Sequence, residues 1–156
     1  MKIVFFIYSM SMGGAQRVVA NLCNHWSKNG VDITVITIDS LATDFYFLDQ
    51  NIKRISINQA GISRGLFQSI INNVNRLIYL RNALKSEKPD VAISFMDSTN
   101  IILTLASLFL KNIICVGSER IHPANYPLPR IWKVMRYGLY GRLDMVVALT
   151  KKQLIG

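Results

Sequence analysis

The chain has 156 residues, about one domain, with 51% hydrophobic and 17% charged side chains, a composition that supports a sizeable buried core and excludes an intrinsically disordered chain. Lysine and arginine outnumber aspartate and glutamate 18 to 9, a formal charge of +9. The excess falls late, with ten basic and seven acidic residues in 1–100 and eight and two in 101–156, so the last third is expected to meet an anionic partner.

The residues alternate between two patterns. KIVFFIY (2–8) is apolar without polar alternation, as in a strand covered on both faces. GAQRVVANLCNHWSKNG (14–30) places Val19, Leu22, Cys23 and Trp26 on one helical face, with Gly30 as the stop. VDITVITI (31–38) and IKRISI (52–57) read as strands two and three. From Leu66 to Lys88, Phe67, Ile70, Ile71, Val74, Leu77, Ile78 and Leu84 recur at helical spacing, and Pro89 ends the helix. DVAISFM (90–96) is the fourth strand. STNIILTLASLFL (98–110) is a helix with Ser98 and Thr99 offered as caps. NIICVGS (112–118) is the fifth strand, LPRIWKVMRYGLYGRL (128–143) a basic, aromatic helix weakened by Gly138 and Gly141, and DMVVAL (144–149) the sixth strand. TKKQLIG (150–156) opens another helix capped by Thr150, so the chain is expected to be a piece of a longer one. The fold class is therefore α/β: a Rossmann-like parallel sheet of about six strands with helices on both faces.

Two segments imitate other signals. The first fifteen residues resemble a signal peptide, and IILTLASLFLKNIICV (101–116) resembles a membrane span. A buried first strand explains the former. Lys111 interrupts the latter well short of the ~20 residues a span needs, which favours a helix followed by a strand. Cys23 and Cys115 lack CxxC spacing and a histidine cluster, and read as small buried hydrophobes of a reducing cytoplasm.

In an open parallel sheet, ligands bind beyond the carboxyl ends of the strands. There the sequence places SMSMGGAQR after strand one, MDSTN after strand four, SERIHP after strand five and TKK after strand six. Gly13 and Gly14 remove two Cβ atoms where a ligand would approach the next helix's free N–H groups. Arg17 opposes that helix's dipole and is read as an anion ligand or as a partner for Asp97 or Glu119, the alternative being a plain tight turn with a solvated arginine. The turn is not GxGxxG, which argues against a nicotinamide site. Asp97 serves either the site or the helix start, and Glu119 either the site or an ion pair with Arg120. Trp132, Tyr137 and Tyr140, interleaved with Arg130, Lys133, Arg136 and Arg142, read as core on one side and solvated charge on the other, or as a helix resting on an anionic membrane surface. No nucleic-acid motif or single basic stripe is present, so no nucleic-acid partner is expected.

GGAQRVV, ISFMDSTN, GSERIHP and DMVVALTKK, in this order, resemble the amino-terminal half of GT-B glycosyltransferases, specifically the retaining enzymes of family 4. Gln16 stands where glutamate is usual there, and Ile121 where Asn or Asp is common. The resemblance implies transfer of a hexosyl-type sugar from a nucleotide-sugar donor to a saccharide or polyprenyl-linked acceptor in bacterial surface polysaccharide synthesis, without a cofactor or an obligatory metal. It implies that residues 1–156 are the acceptor-side domain, with a separate C-terminal nucleotide-sugar domain as partner, in the cytoplasm and peripheral to the inner face of the plasma membrane. Carried over by residue, Gly13, Gly14 and Arg17 would hold the donor phosphates, and Asp97, Ser98, Thr99 and Asn100 would line the acceptor side. Glu119, Arg120 and His122 would surround the reacting centre. The alternative is a non-catalytic phosphate- or nucleotide-binding Rossmann-like module.

Overall fold

The computed structural model describes residues 1–60, 66–120 and 130–149, without the side chains of residues 66, 67 and 130–132. Six parallel strands form one sheet: β1 (Lys2–Ile7), β2 (Asp32–Thr37), β3 (Lys53–Ser56), β4 (Val91–Phe95), β5 (Ile114–Glu119) and β6 (Met145–Ala148), in the order β3-β2-β1-β4-β5-β6. Strand order reverses between β1 and β4, so the turns leaving these two strands flank the crevice where such sheets bind ligands.

Period-two alternation sends the two halves of β1 into different cores. Ile3, Phe5 and Ile7 pack with Val19, Ala20 and Cys23 of α1 (Gly14–Lys28), whose end is marked by Gly30 at φ +79°. Val4 and Phe6 pack with Leu80 and Leu84 of α2 (Leu66–Glu87) and with Ile102, Leu103 and Ala106 of α3 (Asp97–Ser107). Leu143 and Tyr140, following α4 (Arg130–Leu139), join this second core. Helices thus cover both faces, as the alternating pattern requires. The helix expected over 128–143 stops at Leu139 and tightens into a 3₁₀ turn, Tyr140–Arg142, close to the two weakening glycines. Both cysteines are buried and free, and burial pushes the Cys23 thiol up to about 12. Thr150 and the helix expected after it lie outside the described residues.

Three expectations change. The residues 101–116 do divide into a helix and a strand, but α3 begins at Asp97, so Ser98 and Thr99 are inside it and cap nothing. The residue before it, Met96, has φ +79° and ψ 155°, a region essentially reserved for glycine that costs about 1–3 kcal/mol. On α2 the core takes Leu80 and Leu84, while Ile70, Ile71, Val74 and Ile78 stay exposed. The periodicity located the helix and misassigned much of its buried face. Finally, β5 runs through Glu119, which pairs in register with Ala148.

At the end of the sheet away from the crevice, buried Glu87 holds Lys2 at 2.8 Å and Lys53 at 2.6 Å, joining α2 to β1 and β3. Burial acts to raise its carboxyl, but the hydrogen bonds from Lys2 and Lys53 win and hold it below the usual carboxylate range. A strap, residues 39–51, connects β2 to β3 along the α1 side. The Arg54 guanidinium on β3 grips its Asp44 with two bonds of 2.9 and 2.8 Å, and Tyr46 and Leu48 pack against the α1-side core.

Gly117 on β5 lets α3 approach the sheet: a Cβ there would sit 2.7 Å from Leu143 Cδ1 and 3.3 Å from Asn100 Cγ. Gly117→Ala is expected to cost about 1–2 kcal/mol by overpacking. A thermal melt checks this; a melting temperature equal to the parent's would mean that the contact yields freely.

Candidate functional site

On one side of the crevice lies the glycine loop. Helix α1 starts at Gly14, and Gly13 precedes it with φ 175°, extended backbone that any residue adopts. No side chain caps the helix and no acidic residue occupies its first turn, so the first-turn N–H groups remain available to an anion. A Cβ on Gly14 would meet no protein atom within 4 Å, so this position is open. The loop is held from the strap. The Tyr46 hydroxyl donates to Gly13 O at 2.9 Å and accepts from Gly13 N at 3.3 Å, while Phe45 N donates to Met10 O at 2.9 Å.

On the other side is a buried polar cluster built from α3, β5 and the segment following α4. The Tyr140 hydroxyl donates a short hydrogen bond to Glu119 Oε1, and it lies 3.5 Å from Asp97 Oδ1. Asn100 Nδ2 donates to Tyr140 Oη at 3.1 Å and to Glu119 Oε1 at 3.3 Å, and its Oδ1 accepts from Ser94 Oγ at 2.6 Å. Arg136 reaches Asp97 at 3.6 Å and Glu119 at 4.0 Å, with its guanidinium 5.2 Å from the centre of the Tyr140 ring. The two carboxylates that the sequence places at the sheet edge are therefore brought together under one arginine and one phenol.

Electrostatics distinguish the members. Glu119 is 1% exposed, and burial pushes its carboxyl up to about 7; Asp97's charge adds to this, and the Tyr140 hydrogen bond and Arg136 oppose it. Burial, then the Glu119 charge, drives the Tyr140 phenol far above its ordinary range, so it remains a donor. Among the described residues, three consecutive ones leave a buried polar atom without a hydrogen-bond partner: Ser118 Oγ, Glu119 Oε2 and Arg120 Nε. Such orphans are costly, and their adjacency marks the end of β5 as a place built for something else.

The predicted residues fall as follows. Gly13, Gly14, Asp97 and Glu119 lie at the crevice edge. Glu119 and Arg120 form no ion pair, because strand alternation sends them to opposite faces: Glu119 into the α3 side, and Arg120 over the Phe95 ring at 5.1 Å on the α1 side. Arg17 is exposed and has no ion-pair partner among the described residues; Arg136 occupies the place beside Asp97 and Glu119 proposed for it. Thr99 and Asn100 are fully buried, so neither offers a surface to an acceptor. The Thr99 hydroxyl is turned onto its own turn, bonding Phe95 O and Met96 O. Ser98 is half-buried on the first turn of α3. His122 lies outside the described residues. Sequence reasoning missed Arg136, Tyr140 and Tyr46. Arg136 and Tyr140 are four residues apart on one helical face, and that spacing was the signal; for Tyr46 in an irregular loop there was none. Among the described residues no group of three His, Cys, Asp or Glu could hold a metal ion.

The family model for Glycosyltransferase Family 4 matches residues 12–153. This chain belongs to that family. It is similar, at 34% identity over 149 residues, to the GalNAc-alpha-(1->4)-GalNAc-alpha-(1->3)-diNAcBac-PP-undecaprenol alpha-1,4-N-acetyl-D-galactosaminyltransferase of Campylobacter jejuni, covering 96% of this chain and 40% of that protein. Among solved structures, sucrose-phosphate synthase from Thermosynechococcus elongatus superposes with a TM-score of 0.72 at 9% identity, over 94% of this chain and 42% of that one. The UDP-GlcNAc 2-epimerase from Methanocaldococcus jannaschii does so with 0.66 at 18% identity, over 98% and 40%. These two show the fold, the Rossmann-like half of a GT-B architecture. The chain spans about 40% of the length of the proteins it matches.

The raised Glu119 carboxyl has a measurable consequence. The folded chain keeps a proton there that the unfolded chain has already released, so stability falls as pH rises from about 4.5 to about 7, at most by about 1.4 kcal/mol per pH unit. Glu119→Gln removes that titration. Urea melts across this range should show a downward slope in the parent and a flatter one in the variant; parallel slopes would place the proton elsewhere.

Proposed function

We propose that this chain is the acceptor-side domain of a retaining glycosyltransferase. The enzyme moves a hexosyl-type sugar from a nucleotide-sugar donor to a saccharide or polyprenyl-diphosphate-linked acceptor in surface polysaccharide synthesis. A second domain, holding most of the nucleotide, completes it, and residues 1–156 alone are inactive. Family membership supports the reaction class, and the Campylobacter relative's name supports a lipid-linked acceptor. The observation that carries the site is Glu119. One of its oxygens is saturated by Tyr140, Asn100 and Arg136, and the other is buried with no partner among the described residues, across the strand-order reversal from an uncapped helix N-terminus.

In this reading the donor diphosphate lies against the first turn of α1, with Gly14 giving it access and Arg17 adding positive charge. As the bond from the anomeric carbon to the phosphate oxygen breaks, those N–H dipoles and the guanidinium stabilise the departing charge. The acceptor oxygen forms the new bond on the same face, and its proton passes to the departing phosphate oxygen, which leaves no base to be supplied by this chain. Glu119 is as buried as Thr99 and Asn100 and does not touch the acceptor; held by Tyr140, Asn100 and Arg136, it positions the end of β5 against which the acceptor lies. His122, Arg120 and Ser98 complete the surroundings of the reacting centre and the acceptor.

We place the enzyme in the cytoplasm, at the inner face of the plasma membrane. Helix α2 supports this, with Ile70, Ile71, Val74 and Ile78 exposed and no acidic residue before Glu87. So does α4, with Lys133, Val134 and Tyr137 exposed. No helix among the described residues is long and apolar enough to cross a membrane.

In the full-length enzyme, Glu119→Ala is expected to lower kcat by about a hundredfold with donor KM little changed. Arg17→Ala is expected chiefly to raise donor KM. Steady-state transfer to a polyprenyl-linked acceptor checks both, and normal transfer by Glu119→Ala would remove Glu119 from the site. The triple change Ile71→Ser, Val74→Ser and Ile78→Ser should weaken partition onto phosphatidylglycerol vesicles at least about tenfold; unchanged co-sedimentation would take α2 away from the membrane.

A further inference from the structure

Two aromatic rings beside the glycine loop have no part in the core. In the strap, Tyr46 and Leu48 turn inward and pack against the α1-side core, while the alternating Phe45 and Phe47 are 62% and 81% exposed. Met12, at the tip of the glycine loop, is 74% exposed. Exposed large apolar side chains gathered beside a site mark a surface made for contact.

The rings are presented rigidly. Asp44 is gripped by Arg54, Phe45 N bonds Met10 O, and Tyr46 bonds Gly13. The Asn24 side chain on α1 donates to Phe47 O at 2.9 Å and accepts from Asp49 N at 2.8 Å. Every residue from Asp44 to Asp49 except Leu48 is thus tied by a polar bond, and Leu48 is tied by packing. The Phe45 ring also meets the Tyr46 ring edge-on at 5.2 Å. Ordering such a surface costs little at the moment of binding, because the chain is already fixed.

Charge selects the occupant. In a chain of net charge +9, residues 39–51 contain three aspartates and neither lysine nor arginine. Arg54 neutralises Asp44, which leaves two aspartates and no lysine or arginine on the strap itself to hold a phosphate or an anionic bilayer. A neutral sugar ring fits: its C–H faces lie against aromatic rings, and its hydroxyls donate to carboxylates and amides such as those of Asp49 and Gln50.

We propose that Phe45 and Phe47 of the strap, with Met12 of the glycine loop, form a stacking subsite for a neutral sugar ring of the acceptor on the glycine-loop side of the crevice. The subsite rests on the sugar-transfer reading above and adds to it where the acceptor's saccharide lies.

Saturation-transfer NMR on this chain tests it, using N,N'-diacetylchitobiose as the neutral disaccharide and UDP-N-acetylgalactosamine as the donor probe in separate samples. The parent is expected to transfer saturation to the ring C–H protons of the disaccharide. The double variant F45A/F47A should lose about tenfold of that signal, with the donor signal unchanged, and F45W/F47W should recover it. Both positions are exposed, so the melting temperature of F45A/F47A should stay within about 2 °C of the parent. An undiminished disaccharide signal in F45A/F47A, or a parent that binds the donor and no disaccharide, overturns the subsite and leaves the transfer reading standing. A parent that binds neither probe likewise overturns the subsite, while the transfer reading is overturned only by absence of transfer in the full-length enzyme. Loss of vesicle binding or of self-association in F45A/F47A, with disaccharide binding intact, also overturns the subsite and gives the rings to a membrane or to a second copy.

Discussion

The buried side chain of Asn100 joins the sheet, the third helix and the two carboxylates. Its oxygen takes the Ser94 hydroxyl from β4, and its amide donates to Glu119 on β5 and to Tyr140 beyond α4. It is fully buried, so each of these bonds is made in a low-dielectric setting where an unmade one would cost about 1–3 kcal/mol. The bare backbone of Gly117 makes room for it. Remove this residue and three elements lose their common polar partner, with Glu119 left buried and under-satisfied. The strained Met96 turn belongs to the same arrangement. Its N–H is held by Ser118 O and its carbonyl by Asn100 N, so neighbouring bonds keep an unfavourable backbone in place.

The sheet divides the work. Everything concerned with the glycine loop hangs from the β2–β3 side, through the strap and Arg54. Everything concerned with the carboxylates hangs from the β5–β6 side, through α4, Tyr140 and Arg136. The two meet only at the β1–β4 seam, where the strand order reverses. Glu87, with Lys2 and Lys53, ties α2 to β1 and β3 at the far end, and there Lys2 N donates to Asp90 Oδ2 at 2.7 Å across the seam, so the seam is braced where no ligand is needed and left open where one is.

Much of this could be read from the sequence. Six strands, their alternation with helices and the stop at Gly30 followed from hydrophobic runs and punctuation, because buried parallel strands admit no polar alternation. The gathering of Gly13, Gly14, Asp97 and Glu119 at one edge followed from topology alone. What failed has a common cause. Which face of α2 is buried, and which arginine sits beside Asp97, depend on long-range packing that one-dimensional periodicity does not carry. Arg136 reads as a surface charge on a basic helix until α4 is laid against α3. Likewise, Thr99 reads as a cap until the helix is seen to begin two residues earlier, at Asp97, after a methionine in a backbone region where methionine is not expected.

The strap's construction separates two kinds of constraint along a handful of residues. Its inward positions and backbone bonds carry the cost of folding, while Phe45 and Phe47 are exposed and Phe45 meets only the edge of the Tyr46 ring among the described aromatic residues. Exchanging those two side chains leaves the backbone bonds of the strap, Arg54 and the core in place, so their identity is largely free to drift in stability terms. A lineage of such chains could retune what it contacts at this rim by substitutions that never pass through a poorly folded intermediate.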